Sequence, residues 1–563
     1  MIVDGRSVGR DSVVHCDICI VGAGPAGLIA ANEFLGEDHR VCVVESGGFE
    51  HDAATQLLAR SEVEESDDLY PDPFFAHDRR VGGTSAQWDV MVDGKVHVHL
   101  MPLDAMDFRR RHWLPFSGWP IDDQTLAPYI ARAQLASGAG SFDYRPEAWC
   151  DDQNKPFESA LVDSKMVSCG AQDYFLQTLP NRLTASSNLT LMTWSTATEI
   201  LVPPGAETVS SLQVACLDGN RFRVKALMVI LAQGAFDVPR LLLASRSVRK
   251  QGLGNQHDLV GRYLMDRQIA KAGTLFPARP AEMRRFGFYD MREVRGRHVL
   301  GKFTLSEDLL ESEELLGSLI SFSPRQRYSL YQLAQSPFGR GTTCRSPAQR
   351  SLRDLRAAWR QRRLPSSPLR LARNMLSGLD DLLYLNLVRR LAYRPKFNFD
   401  SLGWSTAPDT DRFSSLEVHQ MCEQSPDFEN RVTLSEARDA LGMPTARVAF
   451  RWNARDVHSV LRTQDILKQE FARLSIGDLR LERRGNFPLL ANISAHHPSG
   501  TTRMASDPEL GVVDAQCKVH GLSNLFVASS SVFPTSGCAP PTLTILALAI
   551  RVSDRIKCLL TKS

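Results

Sequence analysis

The residues best suited to chemistry lie near the two ends of the chain. Close to the start, Gly22-Ala-Gly24-Pro-Ala-Gly27 sets three glycines at the spacing of a phosphate-binding turn. In such a turn Gly22 permits the tight bend, Gly24 lets the main chain approach a pyrophosphate, and Gly27 lets the following helix pack on the preceding strand. The helix N-terminus then offers unpaired N–H groups and a positive dipole end to the phosphates. Glu45 stands twenty-one residues after Gly24, where a carboxylate accepts hydrogen bonds from an adenosine ribose; an acidic group there disfavours the extra phosphate of NADP. Close to the other end, His496-His497-Pro-Ser-Gly-Thr-Thr-Arg supplies adjacent imidazoles. Taking a hydride from a CH–OH carbon leaves a carbonyl only if the hydroxyl proton also departs, and a neutral imidazole, with an ordinary pKa of about 6.5, is suited to accept it. Neighbouring residues seldom share a face, so His496 and His497 are expected to point in different directions.

These groups need a frame. Residues 16–47 read as a short apolar run, the glycine turn, a helical pattern and a second β-rich run: one βαβ unit. Another strand-like run, Leu227 to Ala235, closes a stretch that begins near 188. Before it, segments around Thr198–Val202 and Val209–Ala215 alternate as a small antiparallel meander does. The glycine turn thus predicts a dinucleotide, FAD or NAD. Between Arg340 and Lys396 stand thirteen Arg and one Lys against three Asp, with helical stretches at 352–359 and 369–391; this reads as a helical insertion with a solvated basic face, or as a basic amphipathic surface for a membrane or partner.

With 563 residues the chain exceeds one ordinary domain and can bury a large core. Its net charge of +2, from 66 basic and 64 acidic residues, argues against a nucleic-acid partner. The eleven cysteines are odd in number and scattered, which points to a reducing compartment rather than a disulfide framework. Cys16 and Cys19 form a C-x-x-C without a second pair and within a strand-like run, so no metal site is expected. No signal peptide and no run of about 18 apolar residues is visible, and the expected location is cytoplasmic, without a transmembrane segment.

The terminal block runs His496-His-Pro-Ser-Gly-Thr-Thr-Arg-Met504, Gly511-Val-Val-Asp, Val519 to Ser536 and Pro541-Thr-Leu-Thr to Arg551. With Gly82-Gly-Thr-Ser, Ser117-Gly-Trp-Pro120, Ala232–Ser245, Gly252-Leu-Gly-Asn, Val260-Gly-Arg262 and Asn430-Arg-Val-Thr-Leu, it resembles the glucose–methanol–choline (GMC) oxidoreductase family. The resemblance covers nearly all of the chain outside the Arg-rich segment. It implies an α/β fold: a Rossmann-like FAD domain from 12–100, 185–265 and 488–563, interleaved with a sheet-and-helix substrate domain from 101–184 and 266–487 that carries the insertion 340–396. It further implies non-covalent FAD held by Gly22, Gly24, Gly27, Glu45, Arg80, Gly83, Thr84, Ser85, Ala197, Gly234, Ser529, Ser530 and Thr542. The implied reaction is oxidation of a small-molecule alcohol (a sugar, polyol or aminosugar) by hydride transfer to flavin N5, with His497 as the base and oxygen, a quinone or a cytochrome as electron acceptor.

Three departures from the family bear on that reading. Pro540 stands where an Asn or His normally partners the base, and its side chain can neither donate nor accept a hydrogen bond. Losing such a donor costs about 3 kcal/mol of transition-state stabilisation. Three readings stay open: His497 suffices alone, His496 or Cys538 substitutes, or this is an FAD-binding protein of impaired or altered catalysis. Gln87 replaces the histidine that bonds covalently to flavin in some relatives, hence the non-covalent expectation. Ser529 replaces an aspartate near the cofactor but retains its backbone N–H.

Overall fold

The computed structural model describes residues 1–64, 70, 72–92, 94–151, 154–157, 159–326, 413–492 and 495–561, with short stretches between 348 and 379 and residues 404–405. The glycine fingerprint forms strand Ile18–Val21, a turn, helix Pro25–Asn32 and strand Val41–Val44. Both strands are apolar and buried along their whole length, as in a parallel sheet covered on both faces. They lie centrally in a six-stranded parallel sheet ordered Ile2–Asp4, Leu189–Thr193, Val41–Val44, Ile18–Val21, Met228–Leu231, Leu525–Val527. Helix Thr542–Leu560 packs on helix Pro25–Asn32, burying Leu543, Leu546, Ala547 and Ile550. Each fully buried Leu or Ile there contributes about 1.5–3 kcal/mol.

The expected meander is present: Thr196–Leu201, Ser211–Ala215 and Arg221–Lys225 pair antiparallel, and Val13–His15 joins their edge in parallel. A larger sheet of eleven strands forms the second layer. Its central strands are Gln268–Pro277, Phe413–Cys422, Ser318–Gln326, Arg297–Leu305 and Val162–Ala171. Strands Val90–Val92, Lys95–Leu100 and Phe487–Asn492 also belong to it, although the sequence boundaries group them with the parallel sheet; their alternating text pairs across antiparallel ladders that have no parallel counterpart. Conversely, Ile2–Asp4, which lies before residue 12, edges the parallel sheet.

Helix Ala454–Arg473 begins with a capping box between Asn453 and Asp456. It buries Val460, Thr463, Gln464, Leu467 and Phe471 at helical spacing. Ile466, Leu467 and Phe471 share a core with Phe286, Phe303 and Phe322, covering one face of the large sheet. The opposite face, carrying Ile269 and Met421, turns toward the parallel sheet across a cavity. Of the Arg-rich segment 340–396, the helix Pro368–Ser377 is described; most of the remainder lies outside the described residues. Among the described residues no helix is long and apolar enough to cross a membrane.

Candidate active site

A cavity of about 420 Å³ opens at the carboxyl ends of four parallel strands. Gly22 follows Ile18–Val21, Glu45 follows Val41–Val44, Ala232–Gly234 follow Met228–Leu231, and Ala528–Ser530 follow Leu525–Val527. Open parallel sheets bind ligands at this edge, where loops diverge and helices begin. Three helices start here: Pro25–Asn32, Gly234–Ala244 and Thr542–Leu560, none with a side-chain hydrogen bond at its N-cap. Their first N–H groups and positive dipole ends are therefore left for an anionic ligand.

The walls fit a dinucleotide. A Cβ on Gly24 would meet nothing nearer than Gly83 Cα at 3.9 Å, and one on Gly234 nothing within 4 Å, so both glycines leave ligand space. Gln233 Oε1 is buried in the wall without a hydrogen-bond donor among the described residues. An unsatisfied acceptor of that kind costs about 1–3 kcal/mol, which a ligand N–H or O–H removes. The Glu45 carboxylate accepts from Ala23 N at 2.8 Å and Gly47 N at 2.9 Å. Burial pushes its pKa up, opposed by those two N–H groups and by Arg79, and its remaining lone pairs can accept ligand hydroxyls.

Gly22, Gly24, Glu45, Gly83, Thr84, Ser85, Ala197, Gly234, Ser529, Ser530, Thr542 and His497 all line this cavity. Gly27 and Arg80 do not. A Cβ on Gly27 would lie 1.9 Å from Gly22 O, so this glycine acts one layer down by letting the helix seat under the turn. Arg80 instead donates to Phe49 O and lies 3.5 Å from Glu50. Ser85 Oγ turns back to Gly82 O at 2.7 Å, and Ser530 Oγ to Pro498 O at 2.7 Å, so both brace the loops that shape the wall. Gln87 and Pro540 line the cavity as well.

At the side facing the large sheet, Ile269, Met421, His97 and His99 line the cavity together with His497. Its backbone N–H donates to Asp266 Oδ1 at 2.9 Å, and its Nδ1 lies 3.4 Å from Arg267 Nη1. Burial, then the Arg267 charge and the neighbouring His496 and His99, hold its pKa well below the ordinary histidine value. That setting favours the neutral imidazole, whose unprotonated ring nitrogen can accept a proton. His496 lines the cavity too, and its backbone is left-handed at φ +58°. Cys538 is not part of the lining; it is buried behind it, and burial pushes its thiol well up.

Asp266, Arg267, His97 and His99 are absent from the sequence reading. They lie in no motif; pairing of Met265 with Ser499 (N···O 2.9 and 3.0 Å) and donation from Ala495 N to Arg267 O (2.7 Å) bring the first two beside His497. The strand alternation of residues 95–100 is the one local signal for the histidine pair, since it places His97 and His99 on one face.

The parallel sheet, the glycine turn and the cavity at its strand ends define an α/β protein with a second sheet over the cavity, whose lining a dinucleotide would fit. Residues 426–549 match the family model described as GMC oxidoreductase. The chain is 35% identical over 139 residues to a C-glycoside 3-oxidase of Arthrobacter globiformis, covering 24% of this chain and 25% of that protein. It is 32% identical over 145 residues to the fructose dehydrogenase large subunit of Gluconobacter japonicus, covering 25% of each. It is 29% identical over 146 residues to the paromamine 6'-oxidase of Streptomyces fradiae, covering 26% of each. The chain thus matches about a quarter of the length of these relatives. Over its whole length it shares the fold of a solved formate oxidase from Aspergillus oryzae RIB40, described for its FAD modification, with a TM-score of 0.52, 17% identity, and 99% and 100% of the two chains covered.

Proposed function

We propose that this chain is an FAD-dependent oxidoreductase acting on a CH–OH group, with a sugar, polyol or aminosugar as substrate. The observation that carries the reading is the placement of His497 in the same cavity as Glu45 and the glycine turn. The parallel and four-stranded sheets form the cofactor half, and the eleven-stranded sheet forms the substrate half. Bound FAD, non-covalent because Gln87 offers no nucleophilic ring, supplies the hydride acceptor at N5. The chain's own residues do the rest. Gly22, Gly24 and the helix starts would hold the pyrophosphate, Glu45 would hold the ribose, and a ring nitrogen of His497 would take the substrate's hydroxyl proton. Relatives named for C-glycosides, fructose and paromamine support a polyhydroxylated substrate.

Purified protein is expected to be yellow, and anaerobic addition of sugars, polyols, aminosugars and simple alcohols is expected to bleach the flavin absorbance with one of these classes. A protein that no alcohol bleaches overturns the activity. The same reduced protein, offered oxygen, a quinone or a cytochrome, reports the acceptor. Glu45→Gln is expected to weaken FAD binding about tenfold to a hundredfold, the range for losing a charged acceptor. Fluorescence titration of the apoprotein checks this, and an unchanged Kd removes Glu45 from the site. Pro540 favours a second reading, an FAD-binding protein of impaired or altered catalysis, because it lines the cavity without a side-chain donor.

A further inference from the structure

Pro540 leaves His497 without the partner that this stretch supplies in relatives. The residues leading to it are held from below by Arg267, which comes from the start of a strand in the other sheet. Arg267 is 1% exposed; its Nε donates to Gly537 O at 2.9 Å and its Nη2 to Ser536 O. Its third arm, Nη1, faces His497 Nδ1 at 3.4 Å. Among the described residues no carboxylate lies within 4 Å of the guanidinium, so its charge is not cancelled by direct pairing. The nearest acidic groups are otherwise engaged. Asp266 accepts from Tyr70 Oη and His497 N, both at 2.9 Å, and Glu423 takes Arg111 at 2.7 and 3.1 Å. Asp107 is raised to about 7 by burial and by Glu423, so it is only partly ionised at neutral pH, and burial pushes the Cys538 thiol well up. Around His497 itself stand His496 on its own segment and His99 from strand Lys95–Leu100.

We propose that Arg267 is a positioning residue for His497, keeping the ring uncharged and open to a proton in place of the partner that Pro540 cannot be. The inference rests on His497 as the base. At 3.4 Å the contact is long for an N–H···N hydrogen bond. A guanidinium can only donate, so what it offers Nδ1 is a weak hydrogen bond together with its positive charge. A second cation formed on His497 would meet an arginine that stays protonated at working pH, in a site too buried for salt to screen. The ring consequently arrives at the substrate empty. Once it has taken the hydroxyl proton, the same repulsion favours passing that proton on, which resets the site.

The test uses the full-length holoprotein with 15N-labelled histidine, with His497 assigned by its loss in His497→Gln. In the wild type, the His497 signals are expected to remain those of a neutral ring from pH 8 to pH 5. Arg267→Met, and Arg267→Gln as the variant that can still donate to the Ser536 and Gly537 carbonyls, are expected to raise the titration midpoint by at least one pH unit, tenfold in proton affinity. Arg267→Lys is expected to restore the low midpoint. The acid limb of flavin reduction should move up with the uncharged variants and return with the lysine. A wild-type midpoint at or above about 6.5 overturns the proposal. So does a midpoint that is the same in Arg267→Gln and Arg267→Lys. Because the ring is read without substrate, a neutral His497 in a protein that no alcohol bleaches would defeat the proposed activity and leave this inference standing.

Discussion

His497→Ala is expected to purify yellow, with wild-type FAD content, and to reduce its flavin about 10²- to 10⁴-fold more slowly, the span attributed to a general base. The fold has little reason to change. The contact that fixes this segment, His497 N to Asp266 at 2.9 Å, uses the backbone and survives in alanine. The lost ring leaves Arg267 Nη1 without its contact, while the other two arms keep the Gly537 and Ser536 carbonyls. The neighbouring His496→Ala serves as the comparison, since His496 lines the same cavity on a left-handed backbone. Anaerobic stopped-flow reduction, with the substrate found by bleaching, reads both variants. A His497→Ala protein that reduces its flavin at the wild-type rate would falsify the assignment and pass the role to His496 or His99.

Gly27→Val should give a colourless protein with a lower Tm, its FAD affinity down by more than a hundredfold. The added Cβ would sit 1.9 Å from Gly22 O and 3.0 Å from Gly22 C, backbone atoms of the turn itself. No rotamer relieves a clash between Cβ and main chain. Helix Pro25–Asn32 must therefore lift from strand Ile18–Val21, carrying its N-terminal N–H groups away from the pyrophosphate position. Overpacking of this kind typically costs 1–3 kcal/mol, with more expected where backbone must move, as here. Gly36→Ala is the control. Gly36 has φ +75° but open space around it, so it is expected to lose about 1 kcal/mol while remaining yellow. The ratio of flavin to protein absorbance and the thermal midpoint decide the comparison; a yellow Gly27→Val of wild-type Tm would sink the close-packing argument.

The glycine turn, Glu45 and the buried strands around them were legible in the chain because each depends on near neighbours. Backbone freedom at Gly22, the 3.6-residue period of the following helix, and an apolar run short enough for a strand are all local properties. The terminal His-His-Pro-Ser-Gly-Thr-Thr-Arg segment was legible in the same way, as a motif. The split of the strands between two sheets was less so. Residues 90–100 and 487–492 alternate like any half-buried strand, and nothing in their own text says which ladder they join.

What the amino-acid sequence determined by itself was the glycine turn and the strand–helix–strand frame around it, since both follow from residue types at short, fixed separations. What the tertiary structure decided was the electrostatic setting of His497. Asp266 and Arg267 stand about 230 residues before it in the chain and meet it only because Met265 pairs with Ser499. Charges act through space and through the dielectric of whatever surrounds them, so the company a base keeps becomes readable only once distant segments have packed together.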